Sequence, residues 1–422
     1  MTDHQPCVLI YNPLASHGHL DSWFVIFVQK FMVQGYRVLA MAPNAEQLIA
    51  EMLEKHAPHA GAAEVEVLPW KLPRQSISSR ALRRIKSLLR RSNQDSGQTS
   101  QVDQLDPELN YLEPEEFAKR LQFGLTQTGW KPSFALNMYM DLYRTDSTRW
   151  LSADSFMPLP WAGIRFIPTL DMREAYYRIQ SLKGMLLLDQ QLVTEYRDKH
   201  SDKVFAYLPD VTDSSLPEQT SEIVKEILLA AKGRKIVFMG GTIGRTKNIA
   251  KWLEVVRLAT KDRWYFIQIG EVLEDSFDEI DLQAFKAIKQ YQPENLYLKT
   301  EYLADESVFN DIIHHSDIVF AVYRDFSISS NMLGKAAAFQ KPIVVADNHL
   351  MGLRVAKYRI GLGVSQDDPR GMLAALEQLA TQPPGGDCFA HYRQDFSHEA
   401  LNKQLFDFVA ACNQFITNET TR

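Results

Sequence analysis

The sequence predicts an α/β protein made of two successive domains, each with a parallel sheet covered by helices on both faces. Three observations predict it. Short apolar runs of the kind that form buried strands alternate with amphipathic runs long enough for helices. That alternation starts twice, at Cys7 and again at Lys235, with a polar stretch ending in Gly233 between them. A chain of 422 residues is also longer than one hydrophobic core usually supports.

In the first half, "CVLIY" (7–11) reads as a strand, "NPLASHGHLDS" as a loop and "WFVIFVQKFMVQG" as a helix. "YRVLAMAP" follows as a second strand, which completes a βαβ unit. The same order recurs in "KPSFALNMYMDLY", "KGMLLLDQQLVTEYRDKH" and "DKVFAYLPDV", so the first domain is expected over 1–212. The stretch 213–234 reads as the connector.

One region is compositionally unusual. "KLPRQSISSRALRRIKSLLRRS" is rich in Lys and Arg and has no acid, with Ile77, Ala81, Ile85 and Leu88 at helical spacing, and a polar stretch follows it. Within an insertion at about 71–106, it reads either as a solvated surface helix or as a peripheral contact, through 71–91, with an anionic membrane surface or acceptor.

The second half reads as strand "KIVFMGG", helix "NIAKWLEVVRLATK", then strands "WYFIQIG", "NLYLK", "DIVFAVY" and "PIVVAD", a domain expected over 235–395. In open sheets of this type ligands bind beyond the carboxyl ends of the strands. Two loops there have the composition to hold an anion. "FMGGTIGRTKN" offers Gly240, Gly241 and Gly244 for close backbone approach, with Thr242 among them as a binding candidate, and Arg245 and Lys247 for charge, just before a helix. Its glycine spacing is neither the dinucleotide fingerprint nor the Walker sequence. In "SSNMLGKAAAFQKPIVVA" Ser329, Ser330 and Asn331 open a helix; the same residues serve ordinary N-capping. Two helix starts at one crevice suit a diphosphate. The stretch from 396 to 415 is amphipathic through Leu401, Leu405, Phe408 and Val409.

Composition excludes some classes. With 45% hydrophobic and 23% charged residues the chain is that of a folded globular protein, and a formal net charge of -6 argues against nucleic acid as a partner. Cys7, Cys388 and Cys412 are far apart and lack metal-ligand spacing, which fits a reducing cytoplasm and no bound metal. "MTDHQPCVLIYNPLA" has no cationic leader, and no apolar run is long enough to span a membrane.

The order of Gly-rich turn with Lys247, "WYFIQIG", "NLYLK", "HHSDIVFAVYRD", Ser-rich helix start and "QKPIVVADNHLMGLRVAKYRIGLGV" resembles the donor domain of GT-B glycosyltransferases, especially the family-4-like (group 1) enzymes. "AYLPDVTD" is similar to their approach to the interdomain linker, and "YNPLASHGHLDS" matches their first domain more loosely. The resemblance implies two Rossmann-like domains facing across a cleft, an acceptor-binding first domain and a final helix over 396–422 that crosses back to it. It implies transfer of a sugar from a nucleotide-diphosphate sugar, a substrate and not a cofactor, to a glycan, lipid-linked or small-molecule acceptor without a metal. Gly18 would let the donor approach, and His19 and Asp141 would face the sugar as candidate catalytic groups. Family-4 enzymes carry a Glu pair around the Ser-rich helix start; the matching positions here are Ser327 and Lys335, so an altered donor pocket is expected, with Asp325 as the candidate for the sugar hydroxyls. Two other readings share the fold: a hydrolysing nucleotide-sugar 2-epimerase and a non-catalytic protein that binds a glycan or a partner.

Overall fold

The computed structural model describes residues 5–14, 19–55, 64–72, 112–144, 147–169, 172–303 and 305–420. Nearly all of the basic and polar region at 71–106 lies outside them, as does Gly18. The chain divides into two compact units, 1–206 with 408–422, and 207–407.

The first unit's strands are β1 (Cys7–Tyr11), β2 (Arg37–Met41), β3 (Val65–Val67), β4 (Phe134–Asn137), β5 (Trp161–Arg165), β6 (Leu182–Leu187) and β7 (Val204–Tyr207). They form one sheet in the order β3-β2-β1-β4-β5-β6-β7. Its helices are α1 (His19–Val33), α2 (Ala45–Lys55), α3 (Pro114–Thr126) and α4 (Gln190–Lys199). Every residue of β1, β4, β5 and β6 is buried, which is why these strands read as continuous apolar runs.

The second unit opens with α5 (Glu222–Ala231), which lies within the stretch expected to be a connector. Val224, Ile227 and Ala231 recur at helical spacing and join the unit's core, so this stretch is a packed element. The helix ends at Lys232 and Gly233, both at positive φ. Then follow β8 (Lys235–Gly240), α6 (Ile249–Leu258), β9 (Trp264–Ile269), α7 (Glu279–Gln290), β10 (Leu296–Lys299), α8 (Glu306–His314) and β11 (Ile318–Ala321). The unit closes with α9 (Asn331–Ala338), β12 (Ile343–Ala346), α10 (Leu350–Tyr358), β13 (Gly361–Val364), α11 (Pro369–Thr381), α12 (Gly386–Asp395) and the start of α13 (His398–Thr420). Residues 408–422 of the tail group with the first unit.

The second sheet runs β10-β9-β8-β11-β12-β13, with parallel pairing throughout. Side-chain alternation sends Ile236, Phe238, Val319 and Ala321 to one core and Val237, Met239, Ile318 and Phe320 to the other. α9 covers the first face and α6 the second. The ring of Trp252 on α6 lies 4.8 Å from that of Phe320, and its Nε1 donates to Gln268 Oε1 inside β9 at 3.0 Å. Truncating Phe320 to Ala would cost about 3–5 kcal/mol through lost burial and the void left behind. Among the described residues no helix is long and apolar enough to cross a membrane.

Candidate functional site

Strand order reverses between β8 and β11, so the crevice of the second unit lies beyond the carboxyl ends of these two strands. α6 and α9 start there and cover opposite faces of the sheet, so the two helix starts flank the crevice from both sides.

The loop after β8 is built for close approach. Gly241 has φ +93°, and a Cβ there would stand 3.7 Å from Lys247 Nζ. Gly270, at the end of β9, has φ +143°, and a Cβ on it would collide with the Gly241 carbonyl at 1.9 Å. Among the described residues nothing accepts from the backbone N–H of Thr242 or of Gly244. A short turn at Arg245–Lys247 then leads to Asn248, buried and left-handed at φ 56°. Its Nδ2 donates to the Gln366 carbonyl at 2.7 Å, which ties this loop to the one after β13. The helix start itself is partly taken, because Ala250 N–H donates to Asp281 Oδ1 at 2.9 Å.

Arg324, after β11, joins the two crevice loops. Its N–H donates to Thr246 O at 2.8 Å and its Nη2 to Arg245 O at 3.1 Å. The same guanidinium pairs with Asp278 at 2.9 Å and with the buried Asp281. Asp278 caps α7 by accepting from Asp281 N–H. That bond holds its carboxyl below the ordinary range against a partial burial effect, with Arg324 adding to the lowering.

Lys247 Nζ donates to the hydroxyl of Tyr323 at 2.7 Å and stands 4.0 Å from the centre of its ring. Arg245 is exposed, and among the described residues its guanidinium has no ion-pair partner. Lys247 is therefore held in place while Arg245 is free to meet an anion. Asp325 is exposed and left-handed at φ 52°. Its N–H donates to Gln366 Oε1 at 2.9 Å, and Gln366 Nε2 donates back to Asp325 Oδ1 at 2.9 Å.

The Ser-rich helix start is mostly used for packing and capping. Ser329 Oγ donates to Asp210 and accepts from Arg354. Ser330 Oγ accepts from Met332 N–H at 3.3 Å as the N-cap of α9. The half-buried Asn331 amide has no side-chain partner among the described residues. Lys335 is fully buried, and its ammonium lies 2.6 Å from Glu306 Oε1 and 3.2 Å from the Asp213 carbonyl, with Asn310 Oδ1 as a third acceptor. These three acceptors match its three N–H groups, so the altered residue serves an internal ion pair.

In the first unit the strand order reverses between β1 and β4. His19 opens α1, just after that switch. Asp141 follows β4 and is 6% exposed; its oxygens accept from Phe166 N–H at 2.9 Å and Ile167 N–H at 2.8 Å, and Arg165 lies 3.6 Å away. Asp141 therefore braces the end of β5, and both its oxygens are engaged. Burial opposes the charge of Arg165, but Tyr176, Asp141 and Glu174 around it hold it firmly protonated.

Sequence reasoning missed Tyr323, Arg324 and Gln366. The first two stand in "AVYRD" directly after a strand, where a position beyond a carboxyl end was the available signal.

No protein-family model matches the chain, and no curated protein sequence matches it. Solved structures do match over nearly its whole length. An α,α-trehalose-6-phosphate synthase from Burkholderia multivorans is 12% identical, with 98% of this chain and 100% of that one covered and a TM-score of 0.64. HepE from Anabaena, solved with UDP and glucose, is 12% identical over 96% of this chain and 100% of that one, with a TM-score of 0.61. WaaG, a glycosyltransferase involved in lipopolysaccharide biosynthesis, is 11% identical over 96% of this chain and 98% of that one, with a TM-score of 0.54. The chain has the GT-B fold. Gly241, Arg245 and Lys247, chosen from the sequence, lie in one loop at the switch point of the second sheet.

Proposed function

We propose that this GT-B chain transfers a glycosyl group from a nucleoside-diphosphate sugar to an acceptor, with the donor diphosphate held at the switch point of the second unit. The observation that carries the reading is the Gly241–Lys247 loop, where free backbone N–H groups, the unpaired Arg245 and the Tyr323-held Lys247 surround one glycine turn. HepE, of the same fold, was solved with UDP and glucose, which supports a nucleotide sugar as the donor.

In the reaction the bond from the anomeric carbon to the diphosphate oxygen breaks as the acceptor oxygen bonds that carbon. Negative charge grows on the leaving diphosphate, and Arg245, Lys247 and the N–H groups of Thr242 and Gly244 stabilise it in a fixed arrangement. Lys335 is committed to Glu306, so ribose recognition passes to other groups, for which the remaining carboxylate oxygen of Asp325 and the Asn331 amide are available. Acceptor recognition is assigned to the first unit, where His19 is the candidate base. Titration with UDP and other nucleoside diphosphates, followed by assay of donor consumption with and without acceptors, tests the proposal. Binding with turnover supports it; absence of binding for every nucleotide removes it, and binding without turnover assigns a non-catalytic protein.

A further inference from the structure

The second unit carries a cavity that the donor site does not use. It has a volume of about 310 Å3 and lies between α6 and α7, lined by Leu253, Val256, Ala284, Ala287 and Ile288. Asn295 also lines it, directly before β10, and so does Lys261, after α6, so it opens at the amino edge of the sheet. Lys247 stands at the opposite, carboxyl edge.

The cavity follows from the sequence of the two helices. On α7 the facing positions hold alanines three residues apart, too small to fill the groove against α6. Its floor is apolar, with Leu253 2%, Val256 1% and Ile288 6% exposed. Two cations border it. Arg257 and Lys261 are both exposed, and among the described residues neither has an ion-pair partner. Asn295 is 1% exposed and donates Nδ2 to the Val256 carbonyl at 3.2 Å, while its Oδ1 has no hydrogen-bond partner among the described residues.

An apolar chamber bordered by unpaired positive charge selects a ligand with both features. We propose that this cavity binds a small anionic amphiphile, with an apolar body of roughly ten heavy atoms between α6 and α7 and one anionic head group met by Arg257 and Lys261. Burial of the body releases water from apolar surface, and the planar guanidinium gives charge-assisted hydrogen bonds to the head group. This site is independent of the donor reading.

Decanoate is a suitable probe, titrated into the full chain by calorimetry beside decanol, which has the same body and no charge. Saturable decanoate binding is expected, at least tenfold tighter than that of decanol. Ala287→Phe, which fills the groove, should abolish it with UDP binding unchanged. Arg257→Gln with Lys261→Gln, at exposed positions where the Nε bond of Arg257 to the Leu253 carbonyl at 3.2 Å is given up, should weaken decanoate about tenfold and leave decanol as it was. No saturable binding to the parent chain, or decanoate binding unaltered in the double variant, would overturn the proposal.

Discussion

The ammonium of Lys247 donates to the hydroxyl of Tyr323 at 2.7 Å while lying 4.0 Å from the centre of the same ring, so one aromatic residue holds the cation twice. Lys247 comes from the loop after β8 and Tyr323 from the loop after β11, and the pair closes the switch point from both sides. Tyr323→Phe keeps the ring and removes the hydroxyl, so Lys247 should stay near but be less fixed. A loss of about threefold in nucleoside-diphosphate affinity is expected by calorimetry, smaller than that from removing Lys247 itself.

Arg324 has a structural consequence that can be measured apart from any ligand. Asp281 is fully buried, and Arg324 is its ion-pair partner among the described residues. Arg324→Ala would leave that carboxylate with the Ala250 N–H alone, at a cost of about 3 kcal/mol in unfolding stability. Urea titration should show a lower midpoint with an unchanged slope.

Asp278 sets an acid limit on the same corner. Its carboxyl titrates below the unfolded range because the folded chain gives the charged form a backbone N–H and Arg324. A group whose folded pKa is depressed contributes stability above the unfolded value, about 3.9 for Asp, and loses it as pH falls through the folded pKa. Asp278→Asn should therefore flatten the fall in stability below about pH 5 and lower stability at neutral pH. Melting curves from pH 7 to 3 measure both.

Lys335 is expected to matter for folding before it matters for the donor. Lys335→Glu would place a second carboxylate against Glu306 in a buried site, whereas Lys335→Met keeps the volume, leaves the partly exposed Glu306 to water and leaves the Oδ1 of the buried Asn310 without its donor. The Glu variant should lose several kcal/mol and the Met variant clearly less, read by urea unfolding.

Much of the fold was legible because buried parallel strands are short, apolar and uninterrupted. "CVLIY" coincides with β1 residue for residue, and "KIVFMGG" overruns β8 by the single residue Gly241. β5 was missed, since its sequence "WAGIR" ends in an arginine that sequence statistics place at a surface; here Arg165 is 0% exposed beside Asp141. Of the site, the glycine turn was legible because glycines and cations crowd one strand end. The commitment of Ser329 to Asp210 and Arg354, and of Lys335 to Glu306, was hidden: each partner lies far away in sequence, and only tertiary packing brings them together.

The central claim is that the Gly241–Lys247 loop grips a diphosphate. Calorimetric titration of a nucleoside diphosphate into the parent chain and into Lys247→Ala tests it most directly. A charge-assisted contact is worth about 1.5–3 kcal/mol, so affinity should fall roughly tenfold or more while the melting temperature stays close to that of the parent. Equal affinity in the two proteins would contradict the account and remove the diphosphate from this loop.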